Sequence, residues 1–350
     1  MTKKFIDVFR VAATYVGTVI GAGFASGQEI VQFFISYGNI GLVGILLAGL
    51  LFAWLGSYII NLGHRLNATG YQQVLYYICG KRIGGVLDVT TGVFLFGGLT
   101  IMLAGAGTVS RDFLSLSYNT GLIAMALLVM LTVLTGVRGI SIINSLVTPL
   151  LVISTIVIGI NSILYHGFNP TLLSIPAQPS STPATHWVMS ALLYASYNLI
   201  LGTTILAPLG SQIASRKVRI LGGLIGGLLL TLLGLFVAMI ITYHSPEVFQ
   251  HEVPMLYVSN LQHEFTHAGY AAMLVKAMYS TAMASLYGCS TKLQSAAGLS
   301  FPASLVVITL SAVICSQVGF SNLIATVYPI FGYIALIFTV SLIWHFFRGK

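Results

Sequence analysis

Two ionisable side chains stand in stretches otherwise apolar enough to cross a bilayer: Glu29, near the end of residues 11–36, and Lys276, inside residues 267–289. A charge at membrane depth is costly and marks a solute path, a coupling site or an ion pair with a named partner. Glu29 follows a cluster of glycines, Gly17, Gly21, Gly23 and Gly27, by about two helical turns. Lys276 lies roughly 13 Å below the outer end of its stretch at about 1.5 Å per residue. Both are therefore expected at similar depth, outside the midplane, where they could pair. The plainer alternatives are a solvated Glu29 in an outer vestibule and a structural ion pair for Lys276.

A third group with chemical potential is His263-Glu264-Phe265-Thr266-His267, which fits H-E-x-x-H. On a helix that pattern sets two histidines on one face for zinc, with the glutamate as base. A catalytic zinc also needs a third ligand and an open position. No Asp or Glu follows Glu264, so that ligand would have to come from upstream, from His251 or Glu252. An accessory metal, a pH-sensing role and an ordinary polar loop remain the other readings.

The elements that must carry these groups follow from composition. Hydrophobic residues make up 57% of the 350, charged residues only 6%, and mean hydropathy is +0.94. Such a chain cannot cover a water-facing surface; it is an all-α polytopic membrane protein. Ten apolar segments are expected at about 8–36, 40–63, 86–110, 119–137, 141–165, 187–209, 218–243, 267–289, 301–317 and 321–346. Of the 15 Lys and Arg residues, all but Arg111 and Lys276 fall in one alternate set of connections or at the termini. By the positive-inside rule both termini are cytoplasmic, in the cell membrane. The net charge of +8 is then a topology signal and no nucleic-acid footprint. Cys79, Cys289 and Cys315 are too scattered for a disulfide framework. No phosphate loop or catalytic triad is present, and an enzyme is not expected.

Four glycines inside the first segment make a poor continuous helix, since each costs roughly 1 kcal/mol against alanine. Backbone freed there at membrane depth is tolerated where it is buried in protein or lines a cavity. The alternative is that the glycines only let helices pack closely. The sixth segment is expected to be interrupted likewise, around Asn198, Gly202, Thr203 and Pro208. Interrupted spans in corresponding positions of two halves point to a transporter's central site. Its expected lining is Gly17, Thr18, Gly21, Ala22, Gly23, Tyr194, Tyr197, Asn198, Gly202 and Thr203; tyrosines on a membrane helix also serve as plain packing residues.

An internal match supports two halves. Residues 139–149 align with 319–329 at an offset of 180, sharing Gly139/Gly319, Ser141/Ser321, Val147/Val327 and Pro149/Pro329. Ala13-Thr14-Tyr15 likewise faces Ala195-Ser196-Tyr197. One transmembrane domain over 1–350 is thus expected, as repeats at about 6–165 and 187–347 of opposite orientation. The long extracytoplasmic loops fall at about 166–186, rich in proline, and 244–266.

Two five-span inverted repeats with broken first and sixth helices resemble the LeuT-type, or amino acid–polyamine–cation, superfamily. Gly17-Thr-Val-Ile-Gly-Ala-Gly23 is similar to the first-helix signature of its amino-acid permeases. The longer string Gly21-Ala-Gly-Phe-Ala-Ser-Gly-Gln-Glu-Ile30 most resembles the YkvI-like bacterial membrane proteins. Permeases of the larger family often continue with Leu-Pro where this chain has Ser26-Gly27-Gln28-Glu29, so the cargo does not carry over. The resemblance implies a sodium site: backbone oxygens of Gly17 and Ile20, with Ala277, Ser280 and Thr281 one helical turn apart. Oxygen-only ligation suits a hard cation. The plain alternative is that Ser280 and Thr281 bond their own backbone, and Lys276 could take the ion's place, which would couple transport to protons. A sodium- or proton-driven secondary transporter of a small amino acid or similar zwitterion is expected, with no obligate protein partner. A non-transporting receptor for the same solute is the alternative.

Overall fold

The computed structural model describes residues 2–134, 138–166 and 182–348, and these residues are helices and short connections without a strand. The first span is in three pieces: α1 (Thr2–Val19), α2 (Ala22–Ser26) and α3 (Gln28–Phe33). Then follow α4 (Ile40–Arg65), α5 (Tyr71–Leu114), α6 (Tyr118–Leu134) and α7 (Arg138–His166). The second half holds α8 (Trp187–Ser211), α9 (Arg216–Tyr243), a short α10 (Pro254–Asn260), α11 (Glu264–Ala297), α12 (Phe301–Cys315) and α13 (Phe320–Phe347). By length and composition, six of these are apolar and long enough to cross a membrane: α4, α5, α8, α9, α13 and α12 with the turn after it. Most of the proline-rich stretch expected at 166–186 lies outside the described residues.

The helices sort into two groups by what they touch. In one, α1, α4, α8 and α9 pack together; in the other, α11 and α5 form a centre flanked by α6, α7 and α12, while α13 lies between the groups, packing on both α8 and α5. Small residues set the first group. A methyl group built on Gly223 would lie 2.6 Å from Ser57 Cα, and one on Gly227 would lie 2.3 Å from the Ala53 amide nitrogen. Likewise, a methyl on Gly63 would lie 2.2 Å from the Ala207 carbonyl oxygen, and one on Gly210 would lie 2.0 Å from that of Ile60. Backbones so close gain dispersion contact that larger residues would forbid, which is how helices associate where lipid removes the hydrophobic drive.

Two helices depart from expectation. α5 starts 15 residues before the expected 86, as 86 − 71 shows, and turns at Gly80, where φ is +73°. The basic Lys81 and Arg82 thus sit on helix rather than loop. The sixth span is not interrupted: α8 runs unbroken from Trp187 to Ser211 with Pro208 inside it. Its polar residues explain why. Asn198 Nδ2 donates to the Tyr194 carbonyl, Thr203 Oγ1 to Leu199 and Thr204 Oγ1 to Leu201, so each is satisfied by its own helix.

Candidate functional site

The first span breaks twice. After α1 the chain extends at Gly21 (φ −108°, ψ −172°), turns for five residues as α2, and reverses at Gly27, whose φ of +82° lies in the left-handed region. A residue with a Cβ is strained at such a φ, and a methyl on Gly27 would also fall 2.6 Å from Ile241 Cδ1. Side chains from distant helices hold the loosened backbone. Tyr270 of α11 donates to the Ala25 carbonyl, Ser190 of α8 donates to Phe33 at 2.6 Å, and Ser26 Oγ donates to Gly23 at 2.7 Å. That meets the requirement that irregular backbone at membrane depth be buried in protein.

Oxygens without a hydrogen bond occur at the first break and on the stretch of α11 beside it. Among the described residues, no hydrogen bond reaches the carbonyl oxygens of Gly17 and Ile20. On α11, Ala277 and Ser280 are buried and Thr281 is half-buried. A methyl on Gly21 would lie 3.9 Å from Thr281 Oγ1, so α11 presents this turn to the break. Thr14, Thr18, Thr91, Thr155, Thr203, Thr231 and Thr242 all donate to the carbonyl four residues back. Ser280 and Thr281 form no hydrogen bond among the described residues, so the backbone-bonded alternative does not hold for them.

The second break folds Glu29 inward. Its carboxyl is 6% exposed and accepts from Tyr197 Oη at 2.8 Å. Its other oxygen lies over Gly23, where a methyl would approach Oε1 to 2.0 Å; Tyr328 Oη is 3.3 Å from the same point. Aromatic rings enclose the group. Tyr197 and Tyr328 stack at 5.0 Å between centroids, Phe94 lies 5.5 Å from Tyr328, and Phe33 lies 5.7 Å from Tyr197. Tyr194 meets Tyr197 edge-on at 5.5 Å, and its buried hydroxyl has no partner.

Glu29, Tyr194, Tyr197, Gly21, Ala22 and Gly23 are thus brought together. Thr18 bonds its own helix. Gly202 is buried and contributes no break. Lys276 is exposed and makes no ion pair with the buried Glu29. The pairing expected from depth fails because Lys276 is exposed whereas Glu29 is enclosed in the protein. Tyr328 and Phe94, which complete the enclosure, were missed; the signal available was Tyr328 beside the repeat-matched Pro329.

The H-E-x-x-H residues do not converge. His263 precedes the helix and caps it, its Nδ1 accepting from the Phe265 amide at 3.2 Å. His267 Nδ1 lies 2.8 Å from Ser259 Oγ, and Glu264 is exposed. Among the described residues no three His, Cys, Asp or Glu side chains are grouped to hold a metal. Glu252 instead caps α13, its Oε2 accepting from the Phe320 amide at 3.1 Å and from Thr108 Oγ1 at 3.3 Å. Its Oε1 meets Arg111 at 3.3 Å. Toward the other end of α5, Lys292 of α11 meets Asp88 at 2.9 Å, and Tyr71 donates to that carboxylate.

No family model matches the chain. It is 33% identical over 334 residues to "Uncharacterized membrane protein YkvI" of Bacillus subtilis (strain 168), covering 95% of this chain and 94% of that protein. The chain belongs to the YkvI family. A second relative, "Uncharacterized protein YyaD" of the same organism, is 27% identical over 331 residues, with 93% of each chain covered. This YkvI-family fold is similar to MhsT solved with L-phenylalanine, at a TM-score of 0.63 and 15% identity, over 93% of this chain and 87% of that one. It is also similar to a sodium-coupled sialic acid symporter, at a TM-score of 0.60 and 13% identity, over 96% and 78%. The YkvI-family protein therefore has the LeuT-type fold of a multi-pass membrane protein.

Proposed function

We propose that this YkvI-family protein is a secondary transporter that moves a small amino acid or similar solute across the cell membrane by alternating access, driven by sodium. One observation carries this reading. The first span breaks at Gly21, which lies beside Thr281 of α11; the carbonyls of Gly17 and Ile20 and the hydroxyls of Ser280 and Thr281 make no hydrogen bond among the described residues, which supports an ion site there. Free oxygens suit a hard cation, and an interrupted span is where a transporter's central site is expected. The fold neighbours include one solved with L-phenylalanine and one described as sodium-coupled, which supports the same reading. The two packing groups are the bodies that would rock against each other, with both termini cytoplasmic and the halves related as inverted repeats. Proton coupling, the alternative, would not use these oxygens.

The test is thermal stability of the detergent-purified chain with each amino acid, in sodium and in potassium. A ligand that binds only the folded state raises its apparent stability by mass action. Stabilisation by an amino acid that needs sodium, and is lost in Thr281→Ala, supports the proposal. Stabilisation indifferent to sodium removes the ion site.

A further inference from the structure

The enclosure around Glu29 carries an inference about the class of solute, and it rests on the transport reading above. Three features define that enclosure. The carboxyl is buried, yet among the described residues no Lys, Arg or His forms an ion pair with it; the ion pairs there are Arg111–Asp112, Arg111–Glu252 and Lys292–Asp88. Lys276, the basic side chain expected at similar depth, is exposed and makes no ion pair among the described residues. The carboxyl also rests on Gly23, next to the amides that the break loosens. Finally, the walls are aromatic: Tyr197, Tyr328, Phe94 and Phe33.

Each feature selects the same charge. An aromatic face carries a negative quadrupole, which repels an anion and attracts a cation placed over it. The rings therefore do nothing to stabilise Glu29 as a carboxylate and would stabilise a cation beside it. Loosened amides at a helix break ordinarily suit a solute carboxylate. Here a protein carboxyl already occupies the space over Gly23, so a second one would meet it at close range. The remaining capacity of the site is for positive charge.

We infer that the site takes a solute of net positive charge, an organic amine or a basic amino acid, whose cationic nitrogen lies between Glu29 and the stacked Tyr197–Tyr328 pair. Tyr197 is a positioning residue: its hydroxyl fixes one carboxylate oxygen and leaves the other facing the solute. Tyr328, whose hydroxyl makes no hydrogen bond among the described residues and lies on the same side of Gly23 as the free carboxylate oxygen, supplies its oxygen to the same nitrogen.

The experiment is a four-ligand series on the detergent-purified full chain in sodium, read as the concentration giving half-maximal thermal stabilisation. The probes are lysine, cadaverine (lysine without its carboxylate), norleucine (similar in size with an uncharged side chain) and glutamate. Lysine and cadaverine are expected to act at concentrations roughly tenfold to a hundredfold lower than norleucine, as for a charge-assisted contact, with glutamate inactive. Glu29→Gln is expected to erase the difference between lysine and norleucine. If that variant does not fold, the wild-type ranking decides alone, and Tyr328→Phe should weaken lysine and cadaverine more than norleucine. Norleucine equal to lysine, glutamate binding, or a preference for lysine that survives Glu29→Gln overturns the inference and leaves the transport reading standing. No shift with any of the four overturns this inference, and if the wider amino-acid screen is also silent the transport reading falls with it.

Discussion

Glu29 and Gly23 are in contact through a reversal of the chain at Gly27, and the contact requires that residue 23 have no side chain. A Cβ there would overlap the carboxyl oxygen at 2.0 Å. Gly23→Ala should therefore push the carboxyl out of its place, at a cost of about 1–3 kcal/mol typical of overpacking a dense interior. Coupling between Gly23→Ala and Glu29→Ala in a double-mutant cycle of melting temperatures checks this. The double variant should melt above the sum of the two single losses, since removing the carboxyl makes room for the methyl.

Thr281→Ala and Ser280→Ala should lower the sodium response of melting without a large loss of stability in potassium. Each hydroxyl makes no hydrogen bond among the described residues, so no protein contact is lost with it. Thr203→Ala on α8 is the control: it removes a bond to Leu199 at 2.7 Å and should leave the sodium response unchanged.

Glu252 ties its loop to the ends of α5 and α13, and Glu252→Ala should release it. The loss of a charged cap on α13 and of the Arg111 contact should cost about 1–3 kcal/mol. Labelling of a Thr108→Cys variant by a membrane-impermeant thiol reagent should be faster in the Glu252→Ala background. Equal rates would show that this contact does not close the site from that side.

Lys276→Ala should be close to neutral, within about 0.5 kcal/mol, because the side chain is exposed and unpaired among the described residues. Its sodium response should match the wild type, which separates it from the oxygens one turn away.

Gly210→Val should be among the most damaging single changes. A Cβ at Gly210 already meets the Ile60 carbonyl at 2.0 Å, and backbone cannot swing aside as a side chain can. A loss of about 1–3 kcal/mol or failure to insert stably is expected, read as the melting temperature of purified protein.

The broken first span was legible because glycine acts locally: Gly21 and Gly27 adopt their conformations by backbone freedom, whatever surrounds them. The α11 oxygens were proposed from the family resemblance, whose pattern Ala277, Ser280 and Thr281 match because they share a helical turn wherever that helix lies. Continuity of α8 was not legible, because Asn198 and Thr203 look the same in sequence whether they line a gap or bond their own backbone. Depth placed Glu29 and Lys276 at one level, but depth says nothing of azimuth, and Lys276 is exposed. Glu252 joins Phe320 across 68 residues of chain. Nothing local to either announces that meeting.

The short α2 is held by α11 through Tyr270 and lies next to Thr281, whereas α1 packs on α9 and α8. Covalent continuity and mechanical membership therefore part company at Ile20 and Gly21. If the two groups of helices shift, the seam runs through the middle of one span, and the pieces on either side of it travel with different bodies. A bond rotation at two residues would then do the work of a hinge. The free oxygens at that seam would be drawn together or apart by the same rotation, making ion capture and chain geometry one event.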